Sequence, residues 1–184
     1  MNSTSWRLAA GLVLGGLFHD LPVAASEPED ELKAAIVLSF LRYCEWPAPA
    51  TADATLTVGA LGRPALIETL RRVLAGKSVG NRPVRVVEIG LEDDPRCCQI
   101  VYLATARPRE IKAGLTAARM ARTLTIGESE RFLELGGAVN LLTVDGRMSF
   151  EVSLEALKRS GITISSTLLR FGQIRGSGKG RPPA

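Results

Sequence analysis

Five consecutive apolar residues, Ile100-Val101-Tyr102-Leu103-Ala104, follow Gln99 near the middle of the chain. Successive side chains of a strand point to opposite faces, so a strand with no polar side has to be covered on both. Strands of this kind belong to parallel sheets held between layers of helix. The flanking sequence supplies those helices. Thr55 to Ala60 reads as a strand, and Pro64 then stands at a favoured first-turn position. Behind it, Leu66, Ile67, Leu70, Val73 and Leu74 form one helical stripe that Gly76 closes. Pro83 to Ile89 is a second strand and Gln99 to Ala104 a third. Pro108 opens another helix with Ile111 and Leu115 inward, and Thr123 to Ile126 is a fourth strand. The β-α-β-β-α-β order predicts a largely parallel sheet flanked by helices.

The last third changes character. Ala138 to Val144 and Arg147 to Val152 flank Asp145-Gly146, the signal of a tight hairpin. In the second arm Met148, Phe150 and Val152 alternate with Arg147, Ser149 and Glu151, so one face is buried and the other polar. Ser153 can cap a helix over Leu154 to Ser160 that ends at Gly161, and Ser165 or Ser166 can cap a final one containing Leu168, Leu169 and Phe171. Near the N-terminus, Leu32 to Trp46 is strongly apolar. Leu32, Ile36, Phe40 and Tyr43 share a helical face there, and Pro47 and Pro49 stop the helix. A helix this apolar is buried by its own domain or by a partner. The fold class expected is α/β: a three-layer sandwich, its mostly parallel sheet flanked by helices, with a C-terminal β-hairpin.

The ends of the chain bound what it can do. Arg7, the apolar run Leu8 to Phe18 and the small residues Val23-Ala24-Ala25 have the layout of a secretory signal peptide cleaved after Ala25. The run is too short to span a bilayer as a mature helix. Residues 26–174 then form one domain, and 175–184 a flexible basic tail. The only histidine, His19, leaves with the signal peptide, which excludes Ser-His-Asp and Cys-His catalysis and histidine-bearing zinc sites. The formal net charge is +4, part of it in the tail at Arg175, Lys179 and Arg181. An exported chain meets little nucleic acid, so a solvated terminus accounts for that excess and no nucleic-acid partner is expected.

Local motifs give no active site. Gly76-Lys77-Ser78 resembles the end of a phosphate loop, but Arg71 stands where the first glycine belongs and the segment closes a helix. Gly59-Ala60-Leu61-Gly62 follows a strand and precedes a helix, yet lacks the three spaced glycines of dinucleotide binders, so neither it nor Glu88 implies a cofactor. Glu92, Asp93 and Asp94 read as a solvated bend rather than a cation or acid-base site. Ser165 and Ser166 are explained by capping. No catalytic residue, metal ligand or cofactor is assigned. Cys44, Cys97 and Cys98 leave two readings open: a Cys44–Cys98 disulfide, or small buried apolar side chains.

Taken in order, several segments resemble the YfiR family of periplasmic regulators. They are Lys33-Ala34-Ala35, Tyr43-Cys44-Glu45-Trp46-Pro47, Gly76 to Pro83, Cys98 to Leu103, Gly136 to Asn140, Arg147 to Val152, and Leu154 through Leu169. The resemblance runs from Leu32 to Ile174 and implies a non-catalytic α/β protein, often dimeric. It implies repression of an inner-membrane diguanylate cyclase through that enzyme's periplasmic sensor region, relief by an outer-membrane lipoprotein, and control of cyclic-di-GMP and biofilm. A sensor kinase is a second candidate partner. A periplasmic small-ligand receptor, linked to a sensor kinase or transporter and binding beside the carboxyl ends of the strands, is the alternative.

The chain also departs from the repressor kind. Gly59 stands where that kind carries a cysteine paired with the one before the third strand, and Val139-Asn140 and the preceding loop lack a second pair. The resemblance places partner contacts at Glu45, Trp46, Glu151 and Arg159, with Glu151 and Arg159 framing one charged patch. Against this stand core packing for Trp46 and an ordinary Glu151–Arg159 ion pair.

Overall fold

The computed structural model describes residues 27–47 and 55–175; the segment read as a signal peptide and residues 176–184, read as tail, lie outside them. In chain order the elements are α1 (Glu27–Tyr43), β1 (Cys44–Glu45), β2 (Leu56–Gly62), α2 (Pro64–Leu74), β3 (Ser78–Val79), β4 (Arg82–Glu88), β5 (Ile100–Ala104) and α3 (Pro108–Ala121). They continue with β6 (Leu124–Gly127), β7 (Val139–Val144), β8 (Arg147–Ser153), α4 (Leu154–Ser160), β9 (Thr163–Ile164), α5 (Ser166–Leu169) and β10 (Gln173–Arg175). One eight-stranded sheet runs in the order β10-β8-β7-β6-β5-β2-β4-β3, and β1 pairs separately with β9. From β4 across to β7 every neighbour is parallel. β7 and β8 form the expected hairpin, and Asp145 and Gly146 both take positive φ at its turn.

The apolar run that demanded a doubly covered strand is β5, and all five of its residues are buried. The sheet splits the interior. Leu56, Val58 and Ala60 of β2 and Ile100 and Tyr102 of β5 face a large cluster shared with α1, α2, α4 and α5. Leu61, Val101 and Leu103 face a smaller one under α3, with Ile111, Leu115 and Phe132. The α/β three-layer sandwich is therefore present, with unequal halves.

Capping follows local chemistry. Ser153 Oγ accepts from the Ala156 amide and Gly161 ends α4 at φ 70°. Of the two serines before α5, Ser165 is the cap and accepts from the Thr167 amide. In the β6–β7 loop, Phe132 is fully buried between Gly127 and Gly137, where any Cβ would run into its ring.

Three features depart from the sequence reading. α1 stops at Tyr43, short of Trp46, because Cys44 and Glu45 pair with Ile164 and Thr163 and the residue before Pro47 is biased to extended backbone. Its buried apolar face is Ala34, Val37, Phe40 and Leu41, whereas Leu32 and Tyr43 are 47% and 44% exposed. The helix is apolar on two sides, and its own domain covers only one. Finally, Arg175 is not tail: it ends β10, parallel to β8 at the sheet edge, and pairs with Glu151.

Candidate functional site

Open α/β sheets bind ligands outside the carboxyl ends of their strands, where the order reverses. Here that point lies at β2 and β5, above Gly62 and Ala104. The residues there are engaged with one another. The Arg63 amide donates to the Ala104 carbonyl at 3.1 Å. The Arg63 guanidinium forks onto Asp30, donating at 2.7 and 3.0 Å, and reaches Glu128 at 3.3 Å. Lys33 Nζ donates to Glu128 at 2.6 Å and lies 2.9 Å from Glu29 and 3.6 Å from Asp30. Asp30 and Lys33 are buried, and so is the nearby Tyr102 hydroxyl, which has no hydrogen-bond partner.

Burial alone would lower the Lys33 pKa, but the hydrogen bonds to Glu128 and Glu29 and their charges outweigh it and raise it. Arg63 behaves alike, with Asp30 and Glu128 overcoming burial. Burial, and then the charge of Glu128, holds the Tyr102 hydroxyl well above its usual range. Two cations against three carboxylates make a paired network that ties α1 to the sheet, with one negative charge left over. Sequence reading quoted Lys33 only as part of a motif and missed the network, because Arg63 lies 33 residues from Asp30 and Glu128 lies 95 from Lys33. An Asp-x-x-Lys pair on an apolar helix was the available signal.

The four residues expected at a partner surface are not one cluster, and no hydrogen bond or ion pair links any two of them. Glu45 is exposed on β1. Trp46 is half-buried against the large cluster, and its indole N–H donates to the Gln99 carbonyl at 2.8 Å. Glu151 accepts from Arg175 Nε and Nη2 at 3.0 and 2.5 Å. Arg159 instead donates to Glu155 at 2.6 Å, four residues back on α4. The Glu151–Arg159 patch is corrected accordingly: β10 puts Arg175 beside Glu151, and a helical turn gives Arg159 its own carboxylate.

The Cys44–Cys98 bridge is corrected as well. All three cysteines are free, with Cys44 in the large cluster and Cys98 in the small one across the sheet. Burial pushes the Cys44 thiol up to about 12, and burial with the neighbouring Cys97 does the same for Cys98. Cys98 fills the space beside Gly59, where a Cβ would crowd its sulfur.

The uncovered stripe of α1 leads into a groove of about 200 Å³ lined by Ile36, Ser39, Tyr43, Phe150, Thr167, Leu168 and Phe171. Its floor is rigid, since Phe150 packs edge-on against Phe40 with ring centroids 5.2 Å apart. Gly172 passes so close over the Phe150 ring that no side chain fits there. Phe171 is left 72% exposed and Ile174 52% exposed. Phe171 was expected inside the last helix; α5 is four residues long, and Phe171 falls beyond it. This apolar rim is the candidate site. Scattered apolar residues on a surface are ordinary, but a contiguous groove with aromatic edges is the form a protein-docking patch takes.

Among the described residues no helix is long and apolar enough to cross a membrane, and no group of three or more His, Cys, Asp or Glu is placed to hold a metal ion. No curated protein sequence matches the chain. Among solved structures it is similar to a conserved domain protein from Vibrio cholerae O1 biovar El Tor, with a TM-score of 0.56 at 14% identity, over 79% of this chain and 59% of that one. It also aligns with the ABC domain in complex with L-Trp from Streptococcus pneumonia, with a TM-score of 0.49 at 10% identity, over 65% of this chain and 55% of that one. The chain thus spans less than two thirds of either structure, and the first likeness speaks for the fold alone. The YfiR/HmsC-like family model (DUF4154) matches residues 30–173, from the first turn of α1 to the start of β10. The chain belongs to the YfiR/HmsC-like family.

Proposed function

We propose that this protein is a non-catalytic periplasmic regulator. It binds the periplasmic sensor region of an inner-membrane diguanylate cyclase and holds that enzyme in its less active state. Cyclic-di-GMP and biofilm output fall as a result, and an outer-membrane lipoprotein competing for the regulator restores them. Membership of the YfiR/HmsC-like family is the observation that carries this reading. The uncovered apolar stripe of α1, continuous with the Phe171 groove, supports it by offering a surface for protein contact. A bound regulator shifts a membrane receptor only if it prefers one of the receptor's states, so its affinity must differ between the cyclase's on and off forms.

The test is capture of the periplasmic sensor region of an inner-membrane diguanylate cyclase from the same organism. Wild-type protein is expected to bind it, and Phe171→Asp to weaken binding by at least about thirtyfold, the loss of one interface anchor. Glu151→Lys, which breaks the pair with Arg175, is expected to weaken it less. Glu68→Lys, on the exposed side of α2, is expected to change nothing. Absence of capture by folded wild-type protein overturns the reading, and equal capture by Phe171→Asp moves the surface elsewhere.

A further inference from the structure

Strands buried on both faces of a parallel sheet are normally apolar on both. β6 and the residue before it break that rule on one side. Leu124 and Ile126 enter the large cluster, while Thr123 and Thr125 alternate onto the opposite face. These two threonines form the floor of a groove of about 300 Å³ between α3 and α4. The Thr123 hydroxyl is fully enclosed and has no hydrogen-bond partner, a state that costs about 1–3 kcal/mol unless something else meets it. Thr125 Oγ1 accepts from the Ala138 amide at 2.9 Å, which leaves its own O–H to donate.

Three cations stand over this floor. Lys112 and Arg119 lie two turns apart on one face of α3, both exposed, and neither has a carboxylate partner among the described residues. Arg159 reaches in from α4 with Glu155 bound to it. Three cations and one carboxylate leave about two positive charges unmatched over two hydroxyl donors. Between them Leu115, Leu135 and Ala156 supply apolar wall.

We infer that this groove binds a small organic phosphomonoester. Its phosphoryl group lies between Lys112, Arg119 and Arg159 and accepts from Thr123 and Thr125, and its apolar part lies against Leu115 and Leu135. A phosphomonoester carries close to two negative charges at neutral pH and several acceptor oxygens, which matches the charge left over and the donors on the floor. The volume suits a ligand of one ring with its phosphate, at the small end of ligand cavities. The groove shares no lining residue with the Phe171 groove, so the two readings stand or fall apart.

Isothermal titration calorimetry of the full chain with phenyl phosphate tests this, with inorganic phosphate and benzoate as comparison probes. Saturable binding of phenyl phosphate is expected. Lys112→Ala and Arg119→Ala are each expected to weaken it about tenfold, the loss of one charge-assisted contact, without lowering the melting temperature. Thr123→Val, which keeps the side-chain shape, is expected to weaken it as well. No saturable binding by wild-type protein overturns the proposal, and so does unchanged affinity in the Lys112→Ala/Arg119→Ala double variant. Benzoate as tight as phenyl phosphate overturns the requirement for a dianion. Inorganic phosphate as tight as phenyl phosphate overturns the organic ester.

Discussion

The cysteines show how burial decides the behaviour of single residues. Cys97 is exposed, whereas Cys44 and Cys98 are enclosed in separate apolar clusters. Alkylation of folded protein near pH 8 is expected to modify one thiol per chain, and alkylation in denaturant all three, read by mass spectrometry. A disulfide between Cys44 and Cys98 would leave one reactive thiol in both conditions. The same burial sets an alkaline limit on stability. Unfolded thiols lose their protons above pH 9, while the folded pair hold theirs to about 12, so the unfolded chain binds fewer protons in that window and stability falls as pH rises. Lys33 acts in the same direction: its raised pKa gives stability that is complete below its ordinary 10.5 and is lost above it. Urea midpoints are expected to be flat from pH 7.5 to 9 and to decline beyond, less steeply in Cys44→Ala. Little of this residue-level arrangement was legible in the sequence. Glu128 and Arg63, which complete the network around Lys33 and Asp30, are distant in the chain, and three cysteines fix no connectivity.

At the scale of elements, the parts read correctly were those whose signals are local. Prolines at helix starts, Asp145-Gly146 at a turn, Ser153 at a cap and the unbroken apolar run of β5 each specify geometry within a few residues. What escaped was pairing between distant short segments: β1 with β9, and β10 with β8. Two- and three-residue strands carry no periodicity, and their register comes from the elements around them. The face of α1 was misread for a related reason, since a helix apolar on two sides leaves the choice to tertiary packing. The partner surface suffered in turn, because Phe171 and Arg175 were assigned to a helix and a tail. The glycines around Phe132 give a direct test of element packing. Gly137→Ala is expected to destabilise by about 1–3 kcal/mol through displacement of that ring, read from urea unfolding, whereas Gly76→Ala, with open space around it but φ at +68°, is expected to cost backbone strain and no packing.

At the scale of the whole molecule, the sheet separates two interiors of different depth. One face is closed by α1, α2, α4 and α5 and locked at the carboxyl end by the Lys33–Arg63 clamp; the other rests on α3 and a single buried phenylalanine from a loop. Cooperative units with fewer buried apolar contacts open at lower free energy. Amide deuterium uptake is therefore expected to begin in α3 and the 128–138 loop while α2 and β5 remain protected, and uniform uptake across all four would contradict the division. The lopsided interior makes the thin half a soft flank, the side on which a passing solute trades its own freedom against that of the helix and registers as a stiffening of the fold.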